Sequence, residues 1–264
     1  MDDKQSVQEY KARGMATVFG APISWVALFG ALIGALSIVP MVFYIFGGGY
    51  ASAGMIIFGP LAGLVLGPWA GLVTGIIGGI IGMFIAPGSY PLGFVDVLLS
   101  GAALPFFWGL AHPRYRKIYV PLCIVLIIWM SIMPYNWPGP AGGFEKADAA
   151  YLLAFSWAHV GLIVYIIFQK RALGWIQSPN TRRQLAGFLL YMFPPLTSWM
   201  MVWQNPYKIM LKFPLEVGRW ECIATWWAYI PAMLIASSVV SWLAVRALRR
   251  SGLHVVPGSL LDED

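Results

Sequence analysis

Eight predominantly apolar runs follow one another along the chain, near 17–46, 51–67, 69–86, 92–111, 118–134, 149–168, 184–203 and 222–248. Most have the roughly 20 residues that a helix needs to cross about 30 Å of hydrocarbon. Charged residues gather in the short segments between them. The pattern predicts an all-α polytopic membrane protein with about eight transmembrane helices, forming a single transmembrane domain over residues 1–264. Residues 51–86 test the count. As one helix they would be about 54 Å long at 1.5 Å per residue, too long for one crossing. Gly67-Pro68 supplies a break, because proline disfavours a helical residue before it.

Loop charges bear on the same question. With eight spans and an inner N-terminus, the inner segments hold Lys4, Lys11, Arg13, Arg114, Arg116, Lys117, Lys170, Arg171, Arg182, Arg183, Arg246, Arg249 and Arg250, which is 13 of the 17 basic residues. Lys146, Lys208, Lys212 and Arg219 fall outside. If 51–86 crossed once, the basic loops at 112–117 and 169–183 would move outside. The positive-inside rule therefore favours eight spans with both termini cytoplasmic, in the cytoplasmic membrane. Residues 1–16 and 249–264 are expected to be cytoplasmic segments. The first apolar run far exceeds the roughly 7–15 residues of a signal-peptide core, so a retained first span is expected.

Composition agrees with the pattern: 59% of residues are hydrophobic, 11% are charged and mean hydropathy is +0.72, against about 25% charged in ordinary soluble domains. The net charge of +6 reports orientation in a membrane, and no nucleic-acid partner is expected. Cys123 and Cys222 lie in no CxxC or Cys/His cluster, so neither a disulfide framework nor a metal site is expected.

Six glycines, Gly59, Gly63, Gly67, Gly71, Gly75 and Gly79, recur at four-residue spacing in an almost charge-free stretch. In water each would cost about 1 kcal/mol against alanine. In lipid such a ladder lets helix backbones approach closely, within one chain or against another subunit.

Ionisable groups within apolar runs are candidates for function. Asp96 opens the fourth run, where it can bind a cationic group or a proton, or cap a helix N-terminus. His159 lies within the sixth, suited to a haem or proton relay, or to an interhelical hydrogen bond. The outward segments 135–148 and 204–221 are long enough to fold over the outer surface as a lid. Asn136, Trp137, Gln204, Asn205, Glu216, Arg219, Trp220 and Glu221 cluster there. They offer donors, both charges and flat aromatic faces for a planar ligand, or an interfacial aromatic belt. Tryptophans, including Trp226 and Trp227, occur in nearly every run and single out none of these.

Two stretches carry a family resemblance. ALFGALIGALS places Ala27, Ala31 and Ala35 in a small-residue row on the first span, and MIIFGPLAGLVLGPWAGLVTGIIGGIIG reads as a glycine-proline helical hairpin. Together with IPAMLIASSVVSWLAVRALRRSGL near the C-terminus, they resemble the substrate-binding S component of an energy-coupling factor (ECF) transporter. The likeness covers about half the chain, chiefly 17–111 and the last span. S components typically have six spans, and the extra spans and outer loops of 118–221 have no counterpart. The resemblance implies that Ala27, Ala31 and Ala35 dock on a transmembrane scaffold subunit driven by two ATPase subunits. It also implies that the outer face binds a vitamin or similar micronutrient.

No GxxxxGK[ST], HExxH or GxSxG motif is present, so any ATP-driven function needs separate ATPases, and neither enzymatic chemistry nor a cofactor is expected. An accessory subunit of a larger membrane complex is the alternative from another class. A stand-alone permease is a third, though the runs show no inverted repeat.

Overall fold

The computed structural model describes residues 16–44, 48–132, 137–138, 144–145, 156–211, 217, 220, 223–251, 256 and 259–260. Their helices are α1 (Ile23–Ala35), α2 (Gly54–Ile85), α3 (Phe94–Leu110), α4 (Arg116–Ile132), α5 (Trp157–Ile176), α6 (Thr181–Met210) and α7 (Thr225–Arg250). Short strands pair only as two-stranded antiparallel ribbons: β1 (Thr17–Val18) with β2 (Ala21–Pro22), β3 (Pro40–Phe43) with β4 (Tyr50–Ser52), and β5 (Trp137–Pro138) with β6 (Phe144–Glu145). The protein is therefore all-α in class, with ribbons as connectors.

Three helices are long and apolar enough to cross a membrane: α2, the Thr181–Gln204 part of α6, and α7. A fourth crossing results if α3 and α4, bent by 98° at their junction, form one broken span. By length and composition the helices thus show three to four crossings, not eight. The apolar helix that contains α1 ends at Ile38 and is short. α5 runs from Trp157 through Gln169, Lys170 and Arg171, and residues 149–155 of the expected run lie outside the described residues. Exposed side chains on these helices are large and apolar, among them Leu28, Phe84, Val125, Ile128, Ile163, Ile167, Ile235 and Leu243. Such faces are unfavourable in water and suit hydrocarbon.

α2 is a hairpin without a loop. Gly67 leaves the helix with φ 76° and ψ 179°. Pro68 excludes a helical Gly67, and only glycine takes positive φ without strain. Eight residues of straight helix would span about 12 Å. Instead, a Cβ placed on Gly71 would lie 3.2 Å from the Cα of Gly63, so the limbs 54–66 and 68–85 fold back on each other.

The glycines of the ladder line the seat of α3. Side chains added at Gly59, Gly63, Gly75 and Gly79 would meet Leu104, the Pro105 carbonyl, the Gly101 carbonyl and Val97 respectively. At the reversal, a Cβ on Gly109 would run into Gly67 and Pro68. On the far side of the second limb, Gly78 meets Ile33 while Gly30 and Gly34 of α1 meet Ile77 and Ile81. Each contact removes a side chain so that backbones can touch, which lipid rewards more than water does. Gly174 in α5 is the contrast, with open space where a Cβ would go. Gly174→Ala should raise stability by about 0.5–1 kcal/mol through helix propensity alone, read as a higher Tm in detergent.

α5 and α6 pair antiparallel, with Gly161 against Thr197 near one end and Gly187 against Ala172 and Ile176 near the other. Pro194 and Pro195 lie inside α6, and the Thr197 and Ser198 hydroxyls donate to the Pro194 carbonyl at 2.8 and 3.0 Å. Hydroxyls often satisfy backbone groups beside intramembrane prolines in this way. Ser198 is also within 2.8 Å of the Tyr119 hydroxyl and 3.2 Å of the Cys123 thiol, which ties α4 to α6.

Candidate functional site

Asp96 is fully buried. It sits in the first turn of α3, after Gly93 turns the chain with φ 59°. Its Oδ2 accepts the Leu92 N–H at 2.7 Å, and its Oδ1 accepts Ser100 Oγ–H at 3.2 Å and Trp203 Nε1–H at 3.1 Å. The carboxylate therefore does reach back to the backbone at the start of the helix, where negative charge is favoured. It also ties α3 to α6. Three donors to one buried charge are the condition under which such a charge is tolerated.

Aromatic rings surround this network. On α6, Trp199, Trp203 and Tyr207 recur every four residues, with Trp199–Trp203 centroids 6.3 Å apart and Trp203–Tyr207 centroids 4.4 Å apart, both stacked. Tyr44, which follows β3, packs 4.7 Å from Trp203 and 5.7 Å from Tyr207. Its hydroxyl is buried and has no hydrogen-bond partner among the described residues. The Tyr207 hydroxyl donates to the Gly48 carbonyl at 2.7 Å, and Trp199 Nε1–H donates to the Leu99 carbonyl at 2.9 Å. Burial, with Asp96 nearby, pushes the Tyr90 hydroxyl up to about 12 against the opposing effect of Ser37. The β3–β4 ribbon and the 86–93 link meet over this end, where Gly49 touches Gly88 and Pro91. The result is a packed aromatic cluster around one buried carboxylate, and its chemistry suits a ligand with a cationic or donor-rich group and a flat ring.

The other expected site residues do not converge on it. His159 is exposed in the first turn of α5, on the face that carries Ile163 and Ile167. Gln204 is buried, and its side-chain amide donates to Thr225 to join α6 to α7. Trp220 is 58% exposed and Trp227 is 83% exposed. Trp137 lies in β5 opposite Glu145, and Asn205 lies within α6. Asn136, Glu216, Arg219 and Glu221 lie outside the described residues. Ala27, Ala31 and Ala35 are all exposed, on a face of α1 beside the buried Gly30 and Gly34.

Tyr44, Tyr90, Ser100, Trp203 and Tyr207 escape a reading of the sequence. The four-residue spacing of Trp199, Trp203 and Tyr207 is the signal that points to three of these rings sharing one helix face. Among the described residues no group of His, Cys, Asp or Glu is arranged to hold a metal ion. No family model, curated protein or solved structure matches the chain.

Proposed function

We propose that this protein is the small-molecule-binding subunit of an ATP-driven uptake transporter of the ECF type. It carries no catalysis of its own and relies on a separate membrane scaffold and ATPase pair. In this reading the chain lies in the cytoplasmic membrane with both termini inside. The ligand is a vitamin-sized micronutrient bound at the outer end.

The observation that carries the reading is the buried Asp96 carboxylate within a wall of Tyr44, Trp203 and Tyr207. Ligand pockets pair apolar and aromatic walls with a few fixed polar groups in this manner. The exposed alanine row of α1 adds a flat face suited to a scaffold helix.

Two measurements test it. Gentle extraction from the native membrane and mass spectrometry of what stays bound should find a scaffold with two ATPases, or a retained micronutrient. A stoichiometric set of unrelated membrane subunits with no ligand would instead make the protein a structural part of that complex. Ala31→Leu should abolish uptake by blocking docking while leaving ligand affinity within about twofold, since large-for-small changes at close-packed helix faces prevent approach. Unchanged uptake would overturn the docking assignment.

A further inference from the structure

The ends of α5, α6 and α7 enclose a cavity of about 210 Å³, lined by Ile176, Gln184, Trp242, Arg246, Arg249 and Arg250 among others. It lies far along these helices from the Asp96 cluster: Gln184 is in the first turns of α6, and Trp203 is near its other end. A single water needs only about 10–15 Å³ of such space, so the cavity has room for a polyatomic group. We infer that this cavity is a binding site for a phosphate group, carried by an anionic phospholipid headgroup or free in solution, gripped chiefly by Arg246 and Arg249.

The walls are fixed before any ligand arrives. Trp242 Nε1–H donates to Gln184 Oε1 at 3.1 Å, and the Gln184 amide in turn donates to the Ser178 carbonyl at 2.7 Å. The guanidinium of Arg246 lies over the Trp242 ring, 5.8 Å from its centroid. Arg249 is anchored by Nη1–H donating to the Ile176 carbonyl at 3.3 Å. Its Nη2 is buried and finds no hydrogen-bond partner among the described residues. A buried donor of a charged group left unmatched is costly, and an anion removes that cost.

Arginines at the inner end of a membrane helix have ordinary explanations: they complement the helix dipole and follow the positive-inside rule. Both explanations ask only for cations in water or at the headgroups. Neither accounts for guanidinium groups that converge on one cavity, nor for the buried Nη2. Among the described residues no acidic side chain lines the space. Arg182 and Arg183, at the start of α6, add positive charge to the same helix end. Arginine's planar fork matches phosphate oxygens, and basic pockets between helices on the cytoplasmic side are suited to lipid headgroups.

The test uses the full chain in a neutral detergent. Phosphatidylglycerol, phosphatidylcholine and inorganic phosphate are titrated separately, with Tm and tryptophan fluorescence as readouts. Saturable stabilisation by phosphatidylglycerol but not phosphatidylcholine is expected, and it assigns the phosphate to a lipid. Equal stabilisation by inorganic phosphate alone supports the site and assigns it to a soluble phosphate. The R246Q/R249Q variant should lose at least about tenfold in affinity, and Lys117→Gln, at an exposed position in the first turn of α4, should lose none. R246K/R249K keeps both charges, so it guards against misfolding, and it should still bind several-fold more weakly because the fork is gone. Unchanged affinity in R246Q/R249Q, or an equal loss in Lys117→Gln, would overturn the proposal. So would a response that appears only after Asp262, Glu263 and Asp264 are neutralised to amides, since the chain's own tail would then be the occupant.

Discussion

Asp96→Leu should destabilise the protein by about 3–5 kcal/mol, the cost of removing one side of a buried, charge-assisted network. The substitution strands three donors at once: the Leu92 amide, the Ser100 hydroxyl and the Trp203 indole. The Ser100 hydroxyl can rotate towards another acceptor, but the amide and indole cannot. Asp96→Asn keeps an acceptor for Ser100 and Trp203, so it should cost less, about 1–3 kcal/mol. The two variants separate stability from recognition. Asp96→Asn should fold, keep its near-UV circular dichroism and lose affinity for a cationic ligand by at least about tenfold. Thermal unfolding in detergent followed by ligand titration measures both. A wild-type Tm for Asp96→Leu would show that the carboxylate does not hold α3 to α6.

Gly75→Val is the second large effect, with an expected loss of about 3 kcal/mol or more. The added side chain runs into the Gly101 carbonyl, and a side chain on Gly101 would in turn meet the Gly75 carbonyl at 2.7 Å. Backbone faces backbone there, so no rotamer change relieves the clash. Overpacking of a core usually costs about 1–3 kcal/mol, and more where the neighbour cannot move. β-branching adds a smaller helix penalty. Displacing α3 would also move Asp96, which sits on it, so ligand binding and Tm should fall together. Gly174→Ala is the matched control, because it changes a glycine of the same chain in open space and should move Tm the other way.

Much of the scaffold is legible in the sequence because its signals are local. Gly67-Pro68 announces a break through two adjacent residues whose backbone limits are known. The ladder from Gly59 to Gly79 announces close packing through its spacing, although spacing alone does not say that its partner is α3. The site is less legible because its contacts are distant along the chain. Trp203 lies 107 positions from Asp96, and nothing near Asp96 points to it. Tyr44 reaches the network through a ribbon whose residues read as the tail of the first apolar run. The end of α5 is hidden for another reason: hydropathy registers apolar content over 149–168, whereas the helix carries on into Gln169, Lys170 and Arg171 and ends at Ile176. His159 shows the limit of depth as an argument: a position inside an apolar run fixes height along a helix and leaves its facing undetermined.

The reversal at Gly67 also constrains how the protein is made. The limb 54–66 is only about 20 Å long at 1.5 Å per residue, short of the roughly 30 Å of hydrocarbon. It has no polar loop at the turn to hold in the aqueous phase. It therefore cannot enter the bilayer as an independent helix while the ribosome is still producing the next one. The two limbs must partition together, leaving the backbone of their glycines uncovered until α3 emerges to fill the groove. During that interval the nascent chain depends on lipid, or on an insertion factor, for the shielding that α3 later gives.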